Sequence, residues 1–246
     1  MPESEVFVGG KNVYGIPLGV LMLQSSFPRI PGDVGNASTW PFPVLYRVVE
    51  GATPDKVVRS LKDGSLLKRF LDAACDLERA GPALITTNCG FLVLFQKQIQ
   101  DALGVPFISS SLLQVPWLQS FLPRGKRVGV LTIERSSVTP DHLRAAALPA
   151  DIPIVGMEEV GGYFVEAILG TSGRLDVPRA RAEHVAAARL LLERNPEVGA
   201  IVLECTNMPP YARAIREATG LPVHDLTTLV GWAVEAERRK DFHGWM

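Results

Sequence analysis

The strongest constraint on this chain is a segment that it contains twice. Residues 83–106 read ALITTNCGFLVLFQKQIQDALGVP, and residues 200–222 read AIVLECTNMPPYARAIREATGLP. In each copy an apolar run ends at a polar tip bearing one cysteine, Cys89 or Cys205. A helix-length segment follows and closes on Gly-apolar-Pro, with Gly104 lying 15 residues beyond Cys89 and Gly220 lying 15 beyond Cys205. A short apolar run bounded by turn signals reads as a buried strand, and Gly past a periodic segment marks a helix end. Each copy therefore predicts strand, cysteine-bearing turn, helix, next strand. In an open α/β sheet that puts both sulfurs at the carboxyl ends of parallel strands, where ligands bind.

A second matched pair precedes the first. IPLGVLMLQSS at residues 16–26 is similar to RVGVLTIERSS at residues 127–137, two Gly-Val-Leu strands that end near Ser-Ser. The chain thus predicts an α/β fold of two pseudo-symmetric lobes, each a parallel sheet flanked by helices, with the active site between them. Pro123-Arg124-Gly125 is the best linker candidate.

Composition narrows the partners. Hydrophobic residues make up 47% of the 246 and charged residues 21%, which marks a globular chain with a substantial core. The net charge is −1 with no block of like charge, so nucleic acid and anionic membrane partners have no electrostatic support. No apolar run approaches the roughly 20 residues that span a bilayer. The N-terminus has no basic segment followed by an apolar stretch, and three cysteines form neither a disulfide framework nor a zinc pattern. A reducing cytoplasm is the default expectation, and a homodimer stays open.

Between these landmarks, residues 24–42 (QSSFPRIPGDVGNASTWPF) are too broken for a helix and predict a flap over the cleft. Thr53-Pro54 reads as a helix start, and Cys75 lies on the apolar face of the helices that follow, a packing position. Residues 161–173 (GGYFVEAILGTSG) read as irregular. Arg29 and Arg47 could bind a distal carboxylate but read better as surface charge, His224 reads as a packing residue, and His142, His184 and His243 read as solvated or incidental.

TTNC ending a strand in one half and ECTN in the other resemble the aspartate/glutamate racemase superfamily, which includes amino-acid and hydantoin racemases. Its relatives include maleate isomerases and arylmalonate decarboxylases. The resemblance implies lobes at 1–113 plus 226–246 and at 114–225, the last helix returning to the first lobe. It also implies a cofactor-independent racemase or epimerase of an amino acid or related carbonyl compound, acting on a small carboxylate. Cys89 and Cys205 would exchange protons on opposite faces of the alpha carbon, their thiol pKa lowered by the helices they precede. No metal or organic cofactor is required. Asn88, Gly90, Thr206 and Asn207 flank the sulfurs as substrate-binding candidates, with Ser25, Ser26 and Ser136 at the ends of the earlier strands. Apolar Phe91 and Met208, and the absence of a histidine after Thr206, argue against glutamate. Hydantoin-racemase-, maleate-isomerase- and decarboxylase-like activities are the near alternatives, although a decarboxylase of that kind needs a single cysteine. A reversible disulfide in a binding protein is the distant one, and it requires the two Cα atoms within about 7 Å.

Overall fold

The structure is a computed structural model that describes residues 9–10, 13–61, 64–239 and 241. Two four-stranded parallel sheets carry the fold. The first holds β1 (Leu18–Leu23), β2 (Val44–Val49), β3 (Leu84–Thr87) and β4 (Phe107–Ile108) in the order β2-β1-β3-β4. The second holds β5 (Arg127–Thr132), β6 (Ile154–Gly156), β7 (Val198–Leu203) and β8 (Val223–His224) in the order β6-β5-β7-β8. The sequence repeat is therefore a structural repeat, with the same strand order in both halves.

The helices that cover these sheets are α1 (Pro54–Arg59), α2 (Ser65–Arg79), α3 (Gln96–Ala102) and α4 (Val115–Phe121), then α5 (Pro140–Ala145), α6 (Tyr163–Leu169), α7 (Val177–Arg194), α8 (Ala212–Thr219) and α9 (Leu226–Glu237). Pro stands in the first turn of α1, α4, α5 and α7, where its missing N–H costs nothing. Both central strands pass directly under a helix at a glycine. A Cβ on Gly19 would meet Leu77 of α2 at 2.8 Å, and one on Gly129 would meet Leu191 of α7 at 2.8 Å. These equivalent glycines let helix and strand approach closely.

Strand alternation then sorts the core. Leu21 and Leu23 join the main cluster with Phe70, Leu77 and Ile85. Leu18, Val20 and Met22 face the other way, toward Val34, Trp40 and Leu84 and onto Leu226, Val230 and Val234 of α9. Each fully buried side chain of this size contributes about 1.5–3 kcal/mol. The α9 start is fixed by Asp225, whose carboxylate accepts from the Thr227 and Thr228 N–H groups.

Several expectations need correction. Residues 163–169 are helical because Glu183 of α7 accepts from the N–H groups of Tyr163 and Phe164 at 3.1 and 2.9 Å, a cap supplied from another element. Each cysteine precedes a 3₁₀ segment, Gly90–Phe95 or Pro209–Tyr211, before its α-helix begins. Gly220 closes α8 in the left-handed region as the sequence implies. Gly104 does not do this for α3; its N–H is taken instead by Glu78 at 2.6 Å. His142 and His184 are buried rather than solvated, since one lies edge-on to Phe91 and the other stacks on Tyr211 at 4.1 Å. His243 lies outside the described residues. Arg47 is the exposed surface charge expected, bridging to Asp76, and Cys75 is half-buried against the main core. Among the described residues, no helix is long and apolar enough to cross a membrane.

Candidate active site

Both cysteines follow the third strand of their sheet, beside the first, where the order of strands reverses. The extended backbone of Cys89 delivers its side chain into a small cavity of about 20 Å³, and Cys205 enters the same cavity from the other half. Asn88, Gly90 and Asn207 also line it, so five of the sequence candidates converge. Most of the remaining wall is apolar, with Leu23, Phe27, Val58, Phe91, Ile133, Ile168 and Leu169.

The remaining candidates lie elsewhere. Thr206 is buried but donates its hydroxyl hydrogen to the Asn88 carbonyl, clamping the two cysteine turns together. Ser25 accepts from Arg29 at 2.8 Å and so stands one shell back. Ser26 is exposed and donates to the Thr171 carbonyl at 3.4 Å, and Ser136 is exposed with its backbone N–H directed to Glu158. The two Ser-Ser pairs mark equivalent strand ends, but their hydroxyls do not face the cavity.

Two charged residues do: Arg29, which the sequence reads chiefly as surface charge, and Glu204, which it does not single out. Arg29 is not surface charge: its side chain is 13% exposed, its guanidinium lies 4.4 Å over the Phe27 ring, and it pairs with Asp33 at 2.8 Å. Asp33 also accepts from Asn207 at 2.7 Å, and Asn207 accepts from the Cys205 thiol at 3.5 Å. Residues 24–42 are thereby tied by a hydrogen-bonded chain to one of the two sulfurs.

The second is Glu204, which is 1% exposed. It is the repeat equivalent of Asn88, since each residue directly precedes its cysteine. Asn88 Oδ1 accepts from the Leu23 N–H at 2.7 Å, and the Glu204 carboxylate is held at the matching strand end by Thr132 Oγ1 at 2.9 Å and the Ile133 N–H. The longer carboxylate has an oxygen to spare. Oε1 accepts no hydrogen bond from the protein, and a Cβ built on Gly90 would lie 2.2 Å from it. Glycine at position 90 is what leaves room for that oxygen. The carboxylate could have been flagged in the sequence as the one ionisable group ending an otherwise continuous apolar strand.

These surroundings decide the proton inventory. Burial raises Glu204 to about 7, against the opposing bonds from Thr132 and Ile133. Burial, and then the Glu204 charge, push Cys89 up to about 12, although the backbone N–H groups of Phe91 and Leu92 favour its thiolate. The same two causes carry Cys205 well above the ordinary thiol range. The helix starts do not make these cysteines acidic, contrary to the sequence expectation. Both are free thiols in the structure.

A sequence model of the Asp/Glu/Hydantoin racemase family matches residues 55–234, most of the chain. The chain belongs to this family. It is also 32% identical over 223 residues to a dimethylsulfoniopropionate lyase from Durusdinium sp. clade D, covering 87% of this chain and 72% of that protein. Across the lyase relatives it matches, the chain spans from 45% to 74% of their length. Among solved structures, the allantoin racemase of Pseudomonas fluorescens superposes with a TM-score of 0.59 at 16% identity, over 92% of this chain and 100% of that one. Arylmalonate decarboxylase does so with a TM-score of 0.58 at 15% identity, over 89% and 92%. At such identities these structures bear on the fold alone. The family is enzymatic; its description names racemases, whereas the 32% identical relative is named a lyase.

Proposed function

We propose that this protein removes the proton alpha to the carboxylate of a small substrate held between Cys89 and Cys205. The convergence of two thiols, one from each half, on a single small cavity carries this reading. Cys89 is the better base, because two backbone N–H groups face its sulfur, and Cys205 is the opposing thiol donor. Arg29, the cation on the cavity wall, receives the substrate carboxylate. A cavity of about 20 Å³ has room for roughly one water, so the substrate enters only when the cover of Phe27, Arg29, Ile168 and Leu169 opens. Closure afterwards excludes water and strengthens every charge interaction inside.

The 32% identity to a dimethylsulfoniopropionate lyase makes elimination the first reaction to test. The α C–H proton passes to the thiolate, its electron pair becomes the C=C bond, and the β C–S bond breaks. Sulfur leaves as neutral dimethyl sulfide and acrylate remains. Racemisation of an amino acid or hydantoin is the second reading, favoured by the second thiol, since inversion needs a proton donor on the far face. Incubation with dimethylsulfoniopropionate and with single enantiomers in deuterated water separates the two. Dimethyl sulfide release supports elimination, and α-deuterium with loss of optical activity supports racemisation. Substituting serine at position 89 or 205 should lower either rate on the order of 10²-fold or more, whereas Cys75→Ser should leave it unchanged. Full activity in both site variants would end the cysteine mechanism.

A further inference from the structure

The proposed proton transfer does not use Glu204, yet this carboxylate is the most unusual group in the cavity. It is 1% exposed, one oxygen is anchored by Thr132, and Oε1 faces Gly90 beside both cysteines with no partner. A buried unpaired carboxylate oxygen is costly, and such groups persist where something else completes them. Within the cavity wall the only cation is Arg29, and its guanidinium is directed to Asp33 and Ser25 rather than to Glu204. Among the described residues, no cation pairs with Glu204.

We propose that Glu204 Oε1 binds the positively charged group of the substrate, so that the site selects zwitterions carrying an onium centre a short distance from the carboxylate. This rests on the reading that the substrate lies between the two cysteines. Charge placement supports it. A thiolate formed beside an ionised Glu204 would put two anions in a dry pocket, which is strongly unfavourable. An onium group bound between them offsets both charges at once. The base is therefore easiest to generate when a cationic substrate is present and hardest in the empty site. Alkylated onium groups donate no hydrogen bond, and the apolar walls of Phe27, Phe91 and Ile133 suit their methyl groups while Glu204 supplies the charge.

The test compares two unreactive ligands of equal shape by calorimetry on the full chain. One is trimethylammonio-propanoate, and the other is its isostere with carbon in place of nitrogen, which keeps the carboxylate and loses the onium charge. The wild-type protein should bind the onium ligand about tenfold more tightly or better, and Glu204→Gln should reduce that preference to about threefold or less. The variant should change the affinity for the carbon isostere only about twofold, because that ligand brings no positive charge for Glu204 to meet. Equal wild-type affinity for the two ligands overturns the role of Glu204 while leaving the proton-transfer reading intact, and it needs no variant to fold. A preference retained in Glu204→Gln overturns it as well. Failure of the wild-type protein to bind either ligand overturns the proposed site itself, and this assignment with it.

Discussion

Replacing Glu204 with glutamine should change stability in a way that depends on pH, and the size follows from the site. Burial raises this carboxyl from its ordinary 4.5 to about 7 in the folded protein. The native state therefore holds the proton more tightly than the unfolded chain does. That contribution is fully present below pH 4.5 and is lost as pH climbs through 7. A shift of this size is worth about 3 kcal/mol, so ionised Glu204 weighs against the fold by that amount at pH 8. Glutamine keeps the shape and can still accept from Thr132, but it never ionises. Any cost of placing its amide where Oε1 lay is independent of pH. Urea unfolding of both proteins at pH 4.5 and pH 8 isolates the effect as a change in the difference between them. The gap should move about 3 kcal/mol in favour of the variant on going to pH 8. The cysteines do not confuse this measurement, because both sulfurs stay protonated over the range. The histidine contributions are common to the two proteins and cancel. A gap that does not change with pH, or that moves the other way, refutes the claim that Glu204 is a desolvated carboxylate.

Three more outcomes follow. Gly90→Ala places a Cβ 2.2 Å from Glu204 Oε1, and should cost about 1–3 kcal/mol in thermal or urea unfolding together with most of the turnover. His184 is held down to about 4 by burial, so its contribution is present above 6.5 and is lost as pH falls through 4; His184→Phe should remove about 3 kcal/mol of the wild-type acid sensitivity. Residues 27–34 should change in hydrogen-exchange protection when trimethylammonio-propanoate saturates the site, since Phe27 and Arg29 close the cavity and Asp33 is tied to Asn207; unchanged exchange there would mean that entry uses the Ile168–Leu169 side.

What could be read from the sequence was whatever repeats or alternates locally. The Gly-Val-Leu strands and the two cysteine turns recur at matched spacing, so the paired sheets and the meeting of Cys89 with Cys205 were legible. What depended on distant partners was not. Residues 163–169 look broken because Gly161-Gly162 lead into them, and the cap that makes them a helix comes from Glu183. Arg29 looks like loop charge until Asp33 and Ser25 are seen to hold it inward. The Ser-Ser pairs locate strand ends correctly, but the sequence does not tell which way a hydroxyl points. The clearest miss was energetic. A favourable helix terminus is typically worth 0.3–1 kcal/mol, less than one pKa unit. Full burial moves a titratable group by up to 3–5 units. A 3₁₀ start behind Cys89 therefore could not hold its thiol acidic once the cavity closed and Glu204 came to rest beside it. Arg29 on the cavity wall favours the Cys89 thiolate but does not outweigh burial and the Glu204 charge, so generating the base requires further positive charge. A substrate that brings its own positive charge is the simplest source, and on the proposed reading Glu204, not a helix dipole, then sets the conditions for chemistry.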